Sequence, residues 1–403
     1  MSVTGILAKA EAVAVTPEPA ELLARARALA PALRERAAKA CAERRLPAET
    51  IADLQAAGLF RILQPRRWGG YEMHPNVFYD VQQILAEACM STGWVYGVVG
   101  GHPYELALFP DAAQQEVWGK DDSVLVSSSY QPVGKVERVE GGFRLSGQWG
   151  FSSGSHHCRW VLLGAMIPPA EPGGPPDMRT FLVPRADYEI IENWDVFGLQ
   201  GTGSHDIKVD GAFVPEHRTH KAVDGFLCQN PGQAENDGPL FALPWAQIFL
   251  RLVSTAALGG ARGAIAGAVE ITKSRISTNT GKASKADPIL LNTIAKAHAQ
   301  VEEMSAVLRR NFDDMLGERA TPLTLEKRAL YRYQSASVVR RCADLVDDLM
   351  PLLGGRAIYR SSPVVQVWLD LNAARAHVAN DSNNFGPDLF GSLVGDPPSF
   401  MFL

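Results

Sequence analysis

The chain has little that would bind nucleic acid, cross-link a secreted domain or span a membrane. Its 403 residues carry 39 lysines and arginines against 44 aspartates and glutamates, a formal charge of −5. That balance leaves no electrostatic footprint for nucleic acid, and no basic run is long enough to hold an anionic membrane surface. The five cysteines, Cys41, Cys89, Cys158, Cys228 and Cys342, are scattered and form no CxxC pair. Such spacing argues against a disulfide framework or a zinc ribbon and fits a reducing, cytoplasmic setting. The first twenty residues lack a basic start with a sustained apolar core, so they do not read as a secretory signal. The apolar stretch 250–268 is interrupted by Arg251, Ser254, Arg262 and several glycines, which argues against a membrane span.

What is present falls into three blocks. Residues 18–120 are rich in Ala, Leu, Arg and Glu, the strong helix formers, with apolar residues at helical spacing. Between 123 and 220 the segments become short, alternating and β-branched, with Gly and Pro between them, which predicts strands. VERVEGGFRL reads as a hairpin turning at Gly141–Gly142, and EPGGPPD at 171–177 as an exposed loop. Helical pattern returns at 245–277, 287–316, 323–351 and 361–380, lengths that suit a bundle. Ser362 and Pro363 predict the start of the last of these helices, and QNPGQAENDGP at 229–239 reads as a linker. The expected organisation is α+β: an N-terminal helical domain (1–120), a middle β-barrel or sandwich domain (121–235) and a C-terminal four-helix bundle (236–403).

Three familiar chemistries fail their own context tests. His156, His157 and Cys158 are adjacent, so on a strand at most two share a face, and no HxxxH or cysteine pair supplies further metal ligands. One buried and one exposed histidine at a strand entry is the plainer reading, and no metal is expected. SSGS precedes a strand and does not sit in a strand–turn–helix elbow, which excludes the GxSxG arrangement of serine hydrolases. GLQGTGS at 198–204 opens no helix, so it is not a dinucleotide fingerprint. What remains is a set of small, hydroxylated loops at strand ends: SSSYQPVG (127–134), WGFSSGS (149–155) and GLQGTGS. They present N–H groups and hydroxyls without bulk, which suits a flat polar ligand such as a flavin ring. Each taken alone is more ordinarily a turn.

The order of these pieces resembles the acyl-CoA dehydrogenase fold over nearly the whole chain. LLGGRAIYRSSPVVQVWLD is similar to that superfamily's GGxGY stretch and the helix after it, with Ala357 in place of the third glycine. Within the superfamily, LQPRRWGGYE, MSTGWVYGVVGGH, SSSYQPVG, QWGFSSGS and GLQGTGSHD resemble the oxygenase components of two-component flavin monooxygenases, of the 4-hydroxyphenylacetate 3-hydroxylase and secosteroid phenol hydroxylase kind. Two departures favour an oxygenase over a dehydrogenase. ARAHVAN offers no carboxylate where an acyl-CoA dehydrogenase keeps its base, and Pro351 stands where a glutamine grips FAD.

The resemblance implies reduced flavin, FMNH2 or FADH2, supplied by a separate NAD(P)H:flavin reductase. It also implies O2 activation as a C4a-hydroperoxyflavin and ortho-hydroxylation of a phenol, in a cytoplasmic homotetramer. On that basis His377 is expected to act as base, because a neutral histidine taking the phenol's proton makes the ring electron-rich. His102 is expected to hydrogen-bond the phenolic oxygen, Ser128 to hydrogen-bond the substrate, and Ser153 to meet flavin N5. Trp94, Ser127, Ser129, Ser152 and Arg275 complete the expected cofactor contacts. The competing readings are ordinary ones: a helical spacer for His377, a loop cap for His102, core packing for Trp94 and an exposed end for Arg275. An acyl-CoA dehydrogenase, an S- or N-oxygenating relative and a flavin- or aromatic-binding protein without turnover are the alternatives at the level of function.

Overall fold

The computed structural model describes residues 16–168, 177–277, 281–317 and 323–396. Residues 171–176 of the expected EPGGPPD loop lie outside them.

The N-terminal block is helical: α1 (Pro19–Glu43), α2 (Ala48–Ala56), α3 (Pro75–Ala88), α4 (Met90–Leu106) and α5 (Asp111–Trp118). All of α4 is buried, and its glycines explain how. A Cβ on Gly93 would lie 2.4 Å from that of Ala86, and one on Gly101 2.4 Å from Leu252 Cδ1. The bare positions let α3 press on one side of α4 and the long α7 (Trp245–Ser274) on the other. Gln82 then ties the three together, donating to the carbonyls of Gly93 (3.2 Å) and Leu252 (2.6 Å). α4 runs on through Pro103, so His102 is helical and fully buried, not a loop residue capping a helix.

The middle block is a sheet. Among the described residues its strands are β1 (Val126–Val139), β2 (Gly142–Ser152), β3 (Trp160–Ile167), β4 (Asp177–Pro184), β5 (Glu189–Ile191), β6 (His205–Pro215) and β7 (Thr219–Lys221). Their order is β5-β6-β2-β1-β3-β4-β7, and the two ends do not pair, so the expected barrel is open. β1 carries both halves: Val126–Ser129 runs parallel to β3, and Lys135–Val139 runs antiparallel to β2, with an irregularity between. Phe143, Trp149, Val161, Phe181 and Ile207 fill the space that the two halves enclose. Val139 opposes Gly142, so the hairpin turns on Glu140 and Gly141. Gly141 takes φ +78°, the left-handed value such a turn requires.

The C-terminal block contains α7, α8 (Pro288–Gly317), α9 (Leu325–Leu349), α10 (Val365–Ala374) and α11 (Gly386–Val394), after a short α6 (Ala222–Leu227). α7 is long and apolar enough to cross a membrane by length and composition, yet 78% of its most apolar window is buried inside the molecule. One apolar cluster runs from Leu22 and Leu54 through Trp94 and Leu252 to Leu308 and Val346. The N-terminal helices and the bundle therefore share a core.

Local signals were overridden in three places. α10 begins at Val365, because Pro363 and Val364 pack on Gly267 of α7. Ser362 only caps the turn before it, accepting from Val364 N–H at 3.4 Å. The same helix ends at Ala374, and the pattern to 380 contains a separate turn, Val378–Asn380. Residues 229–239 are no loose linker: Asn230 and Asn236 are buried, and Asn236 Nδ2 donates to the Ala107 carbonyl at 2.9 Å.

Candidate active site

The SSG turn begins at Phe151, which holds φ +67° although it has a side chain. Backbone strain of this kind persists where surrounding contacts enforce it. Gly154, at φ +70°, brings the turn against Val95 and Val99 of α4. The result points Ser153 at the same helix: Trp94 Nε1 donates to Ser153 Oγ at 3.2 Å.

A chain of hydroxyls continues from Ser153 into the 198–204 loop. Thr202 Oγ1 donates to the Leu199 carbonyl at 2.8 Å and contacts Ser204 Oγ at 2.7 Å, which contacts Ser153 Oγ at 2.7 Å. Each hydroxyl has one proton. Thr202 spends its own on Leu199, so Ser204 donates to Thr202 and Ser153 donates to Ser204. Ser153 therefore accepts from Trp94 and keeps one lone pair for a ligand: toward anything bound beside it, this serine is an acceptor. Ser204 and Thr202 lie in a loop that the sequence singled out, but their roles depend on contacts across 51 positions.

The same loop is fixed from below by α10. Leu199, at φ +55°, donates its N–H to the buried Asp370 carboxylate at 2.6 Å, and Gln366 Nε2 adds a second bond at 2.8 Å. A Cβ on Gly198 would lie 2.2 Å from the Leu369 carbonyl oxygen. Burial pushes the Asp370 carboxyl up to about 6, opposed by those two hydrogen bonds.

His377 stands edge-on to Trp94, ring centroids 5.8 Å apart. It is not in a helix. It opens the Val378–Asn380 turn, with Nδ1 accepting the Ala379 N–H at 3.1 Å. The Ala379 carbonyl is held in turn by the buried Arg332 at 2.7 Å. Desolvation, and secondly Arg332, push the imidazole down to about 4, so the ring is neutral at neutral pH. With Nδ1 accepting, its proton resides on Nε2.

His102 lies two turns further along α4, about 12 Å along the axis at 1.5 Å per residue. Burial pushes it down to about 3. Its Nδ1 lies 3.4 Å from the Tyr130 hydroxyl and 3.8 Å from Glu105 Oε2, while its Nε2 is buried without a partner. Tyr130 donates to Glu105 Oε2 and is also hydrogen-bonded by Ser128. Trp245 and Phe249 of α7 stack 4.9 Å apart against Tyr130. Burial raises the Glu105 carboxyl to about 7, against hydrogen bonds from Tyr130 and Trp245. Neither Glu105 nor Tyr130 is among the expected site residues, although Tyr130 lies within SSSYQPVG. The available signal was the i, i+3 spacing of His102 and Glu105 in HPYEL.

The other expected residues divide. Ser127 and Ser129 point to the opposite face of β1 from Ser128: Ser127 lies at the buried Cys158 thiol, and Ser129 donates to the Gly150 carbonyl at 2.7 Å. Ser152 and Ser155, flanking Ser153, have buried hydroxyls without partners. Arg275 belongs to another neighbourhood, with Nη1 donating to the Leu352 carbonyl at 2.8 Å and its guanidinium over Gly354. His156, His157 and Cys158 form a short turn in which both histidines are half-buried and His156 pairs with Glu192 at 2.9 Å. Among the described residues no group of three potential ligands could hold a metal ion.

Buried polar atoms are almost always satisfied. The open lone pair of Ser153 and the unpartnered Ser152, Ser155 and His102 Nε2 therefore fit a polar ligand with both donors and acceptors, as a reduced flavin beside a hydroxylated substrate would be.

Residues 252–382 match the acyl-CoA dehydrogenase C-terminal domain family, and with the helix–sheet–helix order this gives the class of the fold. The flavin-dependent monooxygenase oxygenase subunit HsaA of Rhodococcus jostii is 37% identical over 92% of this chain and 98% of its own. The FADH2-dependent resorcinol hydroxylase oxygenase component of a Rhizobium species is 31% identical over 95% and 97%. The crystal structure of 3-HSA hydroxylase from Rhodococcus sp. RHA1 superposes with a TM-score of 0.90 at 35% identity, covering 95% of this chain and 99% of that one. The chain belongs to the flavin-dependent monooxygenases, as an oxygenase subunit.

Proposed function

We propose that this oxygenase subunit hydroxylates a phenol ortho to its hydroxyl group, using FMNH2 or FADH2 delivered by a separate NAD(P)H:flavin reductase. It would work as a cytoplasmic homotetramer. Phenol hydroxylation is in the names of the resorcinol hydroxylase above and of the p-hydroxyphenylacetate 3-hydroxylase of Acinetobacter baumannii, 32% identical over 88% of this chain. The observation that carries the reading is the unpartnered, buried Nε2 of His102, which a phenolic hydroxyl would satisfy.

Bound reduced flavin supplies two electrons and the carbon at which O2 is activated. The residues around it would do three things. Ser153, with its proton committed to Ser204, would accept a hydrogen bond from the N5–H of the flavin, and Ser152 and Ser155 would meet its polar edge. Trp94 holds Ser153 and excludes water, which a reactive oxygen site requires. Ser128 and His102 receive the phenol's oxygen. With its Nδ1 accepting from Ala379, neutral His377 has a donor at Nε2 and no lone pair to offer there. The base role expected of His377 is therefore assigned to His102, and His377 becomes a hydrogen-bond donor beside Trp94. Arg275 would serve a phosphate of the cofactor.

The test is turnover with isotope. The protein is mixed with reduced FMN or FAD and a panel of phenols, then exposed to 18O2, and the products are weighed by mass spectrometry. A catechol carrying one 18O atom is expected. If no phenol in the panel gains labelled oxygen, the reading fails.

A further inference from the structure

We propose that Glu105 is the terminus of a buried proton relay, Glu105–Tyr130–His102, that ionises the bound phenol. Glu105 is a positioning residue for His102, and the proposal rests on the phenol reading above.

The geometry comes first. Glu105 and His102 lie three residues apart on one face of α4, and β1 inserts the Tyr130 hydroxyl between them. Trp245 and Phe249 of α7 cover the group, with Phe249 4.4 Å from the Tyr130 ring and 6.4 Å from that of His102. Among the described residues, the titratable or polar groups facing it are Tyr104 on α4, whose hydroxyl donates to the Leu243 carbonyl at 2.6 Å, Ser128 on β1 and the Trp245 indole N–H on α7, which donates to Glu105. Among the described residues no lysine, arginine or second carboxylate contributes to the raised Glu105 carboxyl. A buried carboxyl without a counter-charge is costly, and the core around it has no use for it.

The chain has a direction. When Glu105 is ionised, Tyr130 donates to Oε2 and its oxygen accepts from His102 Nδ1–H. The neutral tautomer then presents a bare Nε2, the atom left without a partner. A phenol placed there passes its proton to Nε2, the Nδ1 proton moves to the Tyr130 oxygen, and the Tyr130 proton moves to Glu105. The phenol becomes a phenolate, Glu105 becomes a carboxylic acid, and His102 and Tyr130 are again neutral. When the ring carbon gives up its own proton to water and the ring regains its aromaticity, the relayed proton returns along the same path to the product oxygen. His102, pushed down to about 3, cannot hold the proton at neutral pH, whereas Glu105, raised to about 7, can.

Two variants, Glu105→Gln and Tyr130→Phe, test the relay once reduced-flavin binding is found unchanged and neither variant is found to melt below the wild type. The first readout needs no flavin or turnover: 4-nitrophenol is titrated into the protein and its ionised fraction read from its colour. The wild type should favour the bound nitrophenolate at least about tenfold more than either variant, the low end of what a positioned base supplies being ~10²-fold in rate. In turnover, both variants should lose roughly 10²-fold in kcat on an ordinary phenol but little on a polyfluorinated phenol already ionised in water. The double variant should be no worse than either single one. The relay is overturned if Glu105→Gln ionises nitrophenol as well as the wild type, if both phenols lose equally, or if the two losses multiply. If nitrophenol ionises through Glu105 but no phenol is ever hydroxylated, the relay stands and the proposed reaction falls.

Discussion

At the scale of the residue, the site is decided by where single protons sit. Ser153 is an acceptor because the Leu199 carbonyl takes the proton of Thr202 and orders the hydroxyls behind it. Ser153→Ala should therefore raise the ratio of H2O2 released to phenol hydroxylated about tenfold, the value of one positioned hydrogen bond of about 1.4 kcal/mol; an unchanged ratio removes Ser153 from this role. Glu105 has a consequence for stability as well. Its folded value of about 7 lies above the ordinary 4.5, so the folded state holds the proton more tightly and stability falls as pH rises from 4.5 to 7. Glu105→Gln should melt with the wild type near pH 4 and above it at pH 8, by roughly 3 kcal/mol at about 1.4 kcal/mol per pH unit. Thermal unfolding across that range checks the sign.

At the scale of the element, a helix far along the chain holds the loop that orders the hydroxyls. Asp370 of α10 fixes Leu199, whose carbonyl begins the chain to Ser153. Asp370→Ala should leave the KM for phenol unchanged yet raise H2O2 release as Ser153→Ala does, and lower stability by about 1–3 kcal/mol for the unsatisfied Leu199 N–H. Asp370→Asn, which still accepts from Leu199, should recover most of both. A rise in KM for phenol instead would place Asp370 at the substrate and refute the indirect role. The existence of the long helices was legible from periodicity. Their ends were less so: Ser362 and Pro363 satisfy every local rule for a helix start, yet packing against Gly267 moved that start to Val365.

At the scale of the whole molecule, the helices of the N- and C-terminal blocks close on one apolar core, and α4 and α5 pack against the sheet. Ile358, Tyr359, Phe390, Leu393 and Val394 nevertheless remain exposed. Phe390, Leu393 and Val394 share one face of α11, and an exposed apolar helix face is a common place for a partner to pack, in line with the proposed homotetramer. Light scattering should give four times the 43.7 kDa of one chain, and Leu393→Asp should shift the protein toward smaller species. A wild-type monomer at micromolar concentration would exclude the tetramer.

Composition, charge and cysteine spacing argued against nucleic acid, a disulfide framework and a zinc ribbon, because each of those needs residues that are countable without coordinates. Periodicity laid out helices, strands and helices, because burial on one face repeats every 3.6 or 2 residues. The motifs WGFSSG and STGW carried Ser153 and Trp94, and the resemblance of the whole chain paired His102 with His377. Three things were decided only by the tertiary structure: which histidine nitrogens meet a partner, which way the serine hydroxyls point, and the presence of Glu105 beside Tyr130. A tautomer is set by whichever backbone N–H or hydroxyl meets the ring, and those partners come from other elements of the fold. No pattern along the chain records that meeting, since its energy exists only once the helices and the sheet have packed.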